Sequence, residues 1–116
     1  MGEARIKRVY EAPVPGDGQR VLVDRLWPRG LRRDDARLDA WLKEIAPSTG
    51  LRTWFGHDPD RWDAFRQHYR CELDANVAAV AELRAFLSRG DVTLLYAARD
   101  TQHNHARVLA DYMRNA

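Results

Sequence analysis

Two stretches of the chain gather side chains able to do chemistry. Asp24-Arg25-Leu26-Trp27-Pro28-Arg29-Gly30 crowds a carboxylate, two guanidiniums and an indole around a proline. Tyr96-Ala97-Ala98-Arg99-Asp100-Thr101-Gln102-His103-Asn104-His105 places a phenol, a carboxylate and two imidazoles after an apolar run. Guanidinium offers a planar fork of donors that matches phosphate and carboxylate. Imidazole changes charge near neutrality and so can move a proton. Asp100 and His103 are therefore a candidate acid/base pair, with Tyr96 as an orienting hydroxyl. Arg25, Arg29 and Arg52 are a candidate anion clamp, and Trp27, Trp54, His57 and Asn104 are further candidate ligand contacts.

The elements that must position these groups follow from the pattern around them. Ile6–Tyr10 reads as a strand, and Pro13, Pro15, Gly16 and Gly18 as the loop after it. Arg20–Trp27 has the β-branched density of a central strand closed by Pro28 and Gly30. Its apolar residues Val21, Leu22 and Val23 fall on both faces, which implies helices above and below the sheet. Asp34 or Asp35 caps a helix through Leu38, Trp41, Leu42 and Ile45, spaced i, i+3, i+4, i+7 and stopped by Pro47. Ser48-Thr49 opens a short turn of helix that carries Leu51, Trp54 and Phe55 and ends at Gly56.

Asp58-Pro59 starts a long helix. Uninterrupted to Ser88 it would run about 45 Å, more than so small a domain hides, so Asp74 and Asn76 divide it into Pro59–Leu73 and Asn76–Ser88. Val92–Ala98 is a second buried strand, and Thr101–Asn115 a last helix with Val108, Leu109, Tyr112 and Met113 inward. This order predicts an α/β domain with a small, mostly parallel sheet of three strands or slightly more, flanked by helices. Ligands in such sheets bind beyond the carboxyl ends of the strands, where both reactive stretches fall. The connection Ala12–Gln19 is shorter than a usual parallel crossover and by itself favours a hairpin between the first two strands.

Composition bounds the rest. The 116 residues make one domain, 1–116, and 45% hydrophobic with 31% charged residues is a globular balance. No apolar run approaches the roughly 18 residues of a membrane span, and the charged segment Glu3–Arg8 lacks a signal-peptide core, so a cytoplasmic setting is expected. The single cysteine, Cys71, excludes an internal disulfide and a thiolate metal site. A net charge of +2 is too small for a general nucleic-acid coat, although 17 of the 19 basic residues are Arg.

Four stretches together resemble the YeaO-like proteins, a branch of the domain of unknown function 488 superfamily. They are Asp24–Gly30, Ala46-Pro47-Ser48, the run from Leu51-Arg52 through Trp54-Phe55-Gly56-His57-Asp58-Pro59, and the run from Leu94-Leu95-Tyr96 through Ala97-Ala98-Arg99-Asp100 to His103-Asn104. The resemblance covers nearly the whole chain and implies a parallel arrangement of the first two strands, with Pro13–Gly18 in place of a helix. It implies no particular reaction. Longer members of the superfamily look to carry a Leu-Leu-Cys strand end and a later Cys-His-Arg. Here Tyr96 stands at the first cysteine and Asn104-His105-Ala106 at the second motif, so thiol or metal chemistry is not expected.

Plainer roles compete at each position. Arg25, Arg29 and Arg52 could pair with Asp24, Asp34, Asp35 or Asp58. Trp41 and Trp62 sit in helical stripes and read as core. His57 and His103 could be surface or capping residues, Asp100 an N-cap, and Tyr96 a packed ring with its hydroxyl at the rim. His103 and His105 are two apart on a helix and face different ways, so no metal site is read there. Cys71 reads as a small helix filler and Ser48 lacks a nucleophile-elbow context. The expected function is binding of an anionic, phosphate-bearing or nucleotide-like small molecule at the strand ends. The alternatives are a nucleic-acid module using Arg29, Arg32 and Arg33, or an interaction protein that pairs subunits through an aromatic patch.

Overall fold

A computed structural model describes residues 2–114. Four strands form one parallel sheet: β1 (Ala4–Arg8), β2 (Gln19–Leu22), β3 (Ala40–Trp41) and β4 (Val92–Tyr96), in the order β1-β4-β2-β3. The α/β expectation holds, with a sheet of four strands. β4 is buried along its whole length because it has a neighbour on each side and cover on both faces. Side-chain alternation splits the apolar residues between those faces. Val21, Val23, Val92 and Leu94 enter the main core, under α2 (Thr49–Phe55), α3 (Trp62–Ala75), α4 (Val77–Arg89) and α5 (His105–Arg114). Leu22 and Leu95 enter a smaller cluster with Val9, Trp27, Leu31, Leu38 and Trp41. The second face is thus covered by the loop around one-turn α1 (Arg33–Ala36) rather than by long helices.

β1 and β2 run parallel but are not partners, because β4 lies between them. No hairpin forms. A five-residue strand is roughly 16 Å long, and about ten extended residues reach roughly 33 Å, so the segment 9–18 returns to the start of β2 with no α-helix and only a single 3-10 turn, Pro15–Asp17. Gly18 completes that return at φ +64, where an added Cβ would lie 2.7 Å from the Asp91 carbonyl oxygen.

The helix expected from Asp34 through Ile45 does not form. α1 ends after one turn, where Arg20 donates to the Ala36 carbonyl at 3.1 and 2.9 Å and Arg37 turns left-handed. Asp39 then pairs with Arg20 through both backbone and carboxylate, β3 adds to the β2 edge, and Leu42 N–H donates to Leu22 O. The spacing of Leu38, Trp41, Leu42 and Ile45 is met instead by a strand and a 3-10 turn that divide them between the two apolar clusters. Satisfying the open edge of β2 outweighs the helical pattern.

The long helical segment does break at Asn76. Its side chain does not cap α4; the amide donates to the Glu44 carbonyl at 2.8 Å and ties the break to the loop before α2. The last helix begins at His105 rather than Thr101, and its expected end at Asn115 lies outside the described residues. No helix is long and apolar enough to cross a membrane among the described residues.

Candidate functional site

The ends of β2 and β4 are fastened to each other. Asp24 Oδ2 accepts from Ala97 N–H at 3.0 Å, and Trp41 Nε1 donates to Asp24 O at 2.7 Å. His105 Nε2 lies 3.0 Å from the Val23 carbonyl and 3.1 Å from Asp24 Oδ1, a buried oxygen with no other partner. A carbonyl only accepts, so Nε2 carries the ring proton and is spent within the protein. Two arginines hold the adjoining loops. Arg8 donates to the carbonyls of Ala98 at 2.9 Å and Ala97 at 3.1 Å, and Arg25 to those of Pro47 at 3.2 Å and Ala46 at 3.1 Å.

Between these fastened ends lies a cleft of about 770 Å³, within the range of small-ligand sites. Its apolar lining includes Trp27, Pro28, Phe55 and Phe65, with the small residues Ala97 and Ala98 at the β4 end. Of the sequence-derived candidates it brings together Arg25, Trp27, Arg29, Arg52, His57, Asp100, His103 and Asn104. Their states differ. Arg25 is the loop strap just described. Arg29 follows β2 and Arg52 sits on α2; both are exposed, and neither guanidinium has a protein partner among the described residues. Arg99, after β4, is in the same condition. It was absent from the candidates although it ends β4 much as Arg25 and Arg29 end β2, which was the available signal. Asp24, weighed only as an ion-pair partner, and His105 were likewise missed as builders of the site.

Asp100 is the most constrained acid here. Its Oδ1 accepts from the backbone N–H groups of Gln102 at 2.8 Å and His103 at 2.9 Å, and its Oδ2 lies 2.9 Å from His103 Nδ1. The N–H of His103, then that of Gln102, then the imidazole lower its pKa to about 2. Asp100 is thus an anion at neutral pH that orders the bend 101–104, while the N-cap of α5 is Asn104, whose Oδ1 accepts from Arg107 N–H at 3.0 Å. Asn104 also donates to Asp100 O at 3.0 Å, so its buried amide serves the backbone. His103 Nε2 has no protein partner among the described residues, and Trp62 packs against its ring nearly at right angles with centroids 5.2 Å apart.

Two candidates lie elsewhere. Tyr96 has the strand parity of Val92 and Leu94 and is buried in the main core, where desolvation raises its pKa. Trp54 is on the outer side of α2, beneath the Arg61 guanidinium, in a shallow depression with Ser48, His68, Cys71 and Glu72. Trp27 is at the cleft but shared with the fold: its Nε1 donates to Leu31 O at 2.8 Å, it meets Trp41 edge to face, and Arg33 lies 5.0 Å from its ring centre. Among the described residues no three His, Cys, Asp or Glu side chains are grouped to hold a metal ion.

A family model described as the inactive DUF488-N3 subclade matches residues 3–116. The chain belongs to this subclade. Similar proteins include the uncharacterized protein Rv3073c of Mycobacterium tuberculosis, 50% identical over 94% of this chain and 92% of its own length. The uncharacterized protein YeaO of Escherichia coli is 45% identical over 94% of this chain and 95% of its length. No solved structure matches. As a DUF488-N3 protein the chain fits the YeaO-like resemblance carried by its four sequence stretches.

Proposed function

We propose that this chain is a cytoplasmic binding protein for an anionic, phosphate-bearing small molecule of about nucleotide size. One observation carries the reading. Three exposed guanidiniums from three separate segments, Arg29, Arg52 and Arg99, line one cleft without a protein acceptor among the described residues, while Arg25 in the same lining and Arg8 beside it are committed to carbonyls. The family description as inactive favours binding over turnover, as does the lack of a thiol at Tyr96 and Asn104.

The test is the triple substitution Arg29→Met, Arg52→Met and Arg99→Met. Charge-assisted hydrogen bonds contribute about 1.5–3 kcal/mol each when well formed. The wild-type protein should bind nucleoside monophosphates in calorimetry, and the triple variant should bind at least about 10³ times more weakly with an unchanged circular dichroism spectrum. Equal affinity in the two proteins would refute the reading.

Arg32 and Arg33, next to Arg29, favour a second reading in which a single nucleic-acid strand crosses the cleft. That reading requires log affinity to fall with log salt at about 0.7 per phosphate contacted. A slope near one contact or fewer would leave the small molecule.

A further inference from the structure

The arginines of the cleft suit an anion but do not sense its protonation, because guanidinium only donates and keeps its proton at any working pH. His103 is different. Its Nδ1 faces an ionised carboxylate that accepts and does not donate, so the Nδ1 proton is held in both charge states of the ring. The carboxylate is itself fixed by two backbone N–H groups, and the Trp62 ring packs nearly perpendicular to the imidazole from the side of α3. What remains is Nε2, without a protein partner among the described residues, on a half-buried ring that lines the cleft. It is a lone pair when the ring is neutral and a donor when the ring is protonated.

The charged and titratable groups lining the same space come from each neighbouring segment. Arg99 and Asp100 precede His103, Asp24, Arg25 and Arg29 follow β2, Arg52 and His57 belong to α2 and its end, and His105 starts α5. His105 cannot play the same part, since its Nε2 is tied to Val23 O and approaches Asp24 Oδ1. Both carboxylates of the cleft are also occupied, Asp24 by Ala97 N–H and Asp100 as above.

Resting on the reading of an anion in this cleft, we propose that the ligand is a phosphate monoester contacted by His103 Nε2, and that in the complex one proton is shared between that nitrogen and a phosphate oxygen, a proton taken up from solvent when binding occurs above neutrality. A monoester loses its second proton near pH 6, close to the ordinary range of imidazole. Below that range an imidazole and a monoester each carry a proton before they meet, so a complex that shares one proton gives one up. Above that range the dianion binds and the ring takes a proton from solvent, so affinity falls as pH rises, by at most about tenfold per pH unit. A phosphate diester has no proton to bring and one charge fewer, and binds more weakly.

The experiment is calorimetric titration of the whole chain with methyl phosphate and with dimethyl phosphate at pH 6, 7 and 8. Each titration is run in two buffers of different ionisation enthalpy, with the imidazole nitrogens of the four histidines followed by NMR. Expected are uptake of close to one proton per methyl phosphate at pH 8, a shift of the His103 Nε2 resonance toward the protonated ring, and dimethyl phosphate at least tenfold weaker. His103→Gln should bind methyl phosphate about tenfold more weakly at pH 7 with no buffer dependence. Asp100→Asn, which keeps an acceptor for the bend, should broaden the tautomer signal and reduce the uptake. Methyl phosphate binding that is flat from pH 6 to 8, or uptake assigned to another histidine, would overturn the role of His103 and leave the anion site standing. No binding of methyl phosphate, together with no binding of nucleoside monophosphates, would remove the anion site itself.

Discussion

Asp17→Ala should lower the unfolding free energy by about 3–5 kcal/mol, the range for removing one partner of a buried ion pair. Asp17 and Arg20 are 6% and 5% exposed. Arg20 Nη1 donates to Asp17 Oδ2 at 2.6 Å, Lys7 Nζ lies 3.1 Å from both carboxylate oxygens, and Val14 N–H donates at 3.1 Å. The Asp17 carbonyl also accepts from the buried Thr93 hydroxyl at 2.6 Å. Without the carboxylate, one face of the sheet would hold a guanidinium and an ammonium with nothing between them. Since Arg20 also terminates α1 through Ala36 O, the fault would spread to β3. Urea denaturation at pH 7 measures the effect, and a loss below about 1 kcal/mol would show that water reaches the cluster.

The same cluster sets an acid limit. Burial alone would raise the pKa of Asp17, but the Val14 N–H, Lys7 and Arg20 together hold it below its ordinary value. A carboxyl depressed in the folded state stabilises fully above its unfolded value near 3.9, and that contribution is lost as pH falls through the folded value. Asp91 and Asp100 are lowered as well, Asp91 chiefly by the Glu3 N–H, so all three act in the same direction below about pH 4. Asp17→Asn should therefore flatten the acid end of the stability profile as well as lower its plateau.

Where a pattern had a single structural solution, the sequence was enough. Val92–Tyr96 is apolar but for Thr93 and became the central strand; Asn76 interrupts a helix too long for the domain. Leu38, Trp41, Leu42 and Ile45 had two solutions, and the deciding interactions, Arg20 on Ala36 and the open edge of β2, come from about twenty residues earlier in the chain. The site divides in the same way. Motifs at the two strand ends are visible as clusters of charge beyond apolar runs, and they do meet in one cleft. Which arginine is a strap and which is free was not visible, because that depends on where the carbonyls of residues 46, 47, 97 and 98 come to lie. Tyr96 reads as reactive from its neighbours and turns inward by strand parity alone. Trp54 shares a motif with Arg52 but points elsewhere, since two positions on a helix are about 200° apart.

Phe65→Ala should be the most damaging change that touches no charge, at about 3–5 kcal/mol. Phe65 is 2% exposed, stacks on Phe55 with ring centres 4.3 Å apart, and reaches Trp62 at 5.8 Å and Tyr69 at 5.9 Å. It joins α2 to α3 and at the same time lines the cleft. Tyr69 extends the stack inward, where its hydroxyl donates to Ile45 O at 2.7 Å, and burial raises its pKa so that it keeps that proton. Removing the Phe65 ring would leave a void under the cleft and free Trp62, whose ring packs against His103. Stability and ligand affinity should therefore fall together, with the near-ultraviolet circular dichroism of the aromatic stack weakened. Phe65→Leu, which fills more of the space, should cost less than half as much in urea denaturation and restore most of the affinity for nucleoside monophosphates. If Phe65→Ala lost stability but bound phosphate as tightly as the wild type, His103 would not depend on this stack for its position. If it lost neither, the rings would not be packed as described. The wall of the cleft and the core of the domain are here the same side chain, so the cleft is as rigid as the packing of α2 on α3.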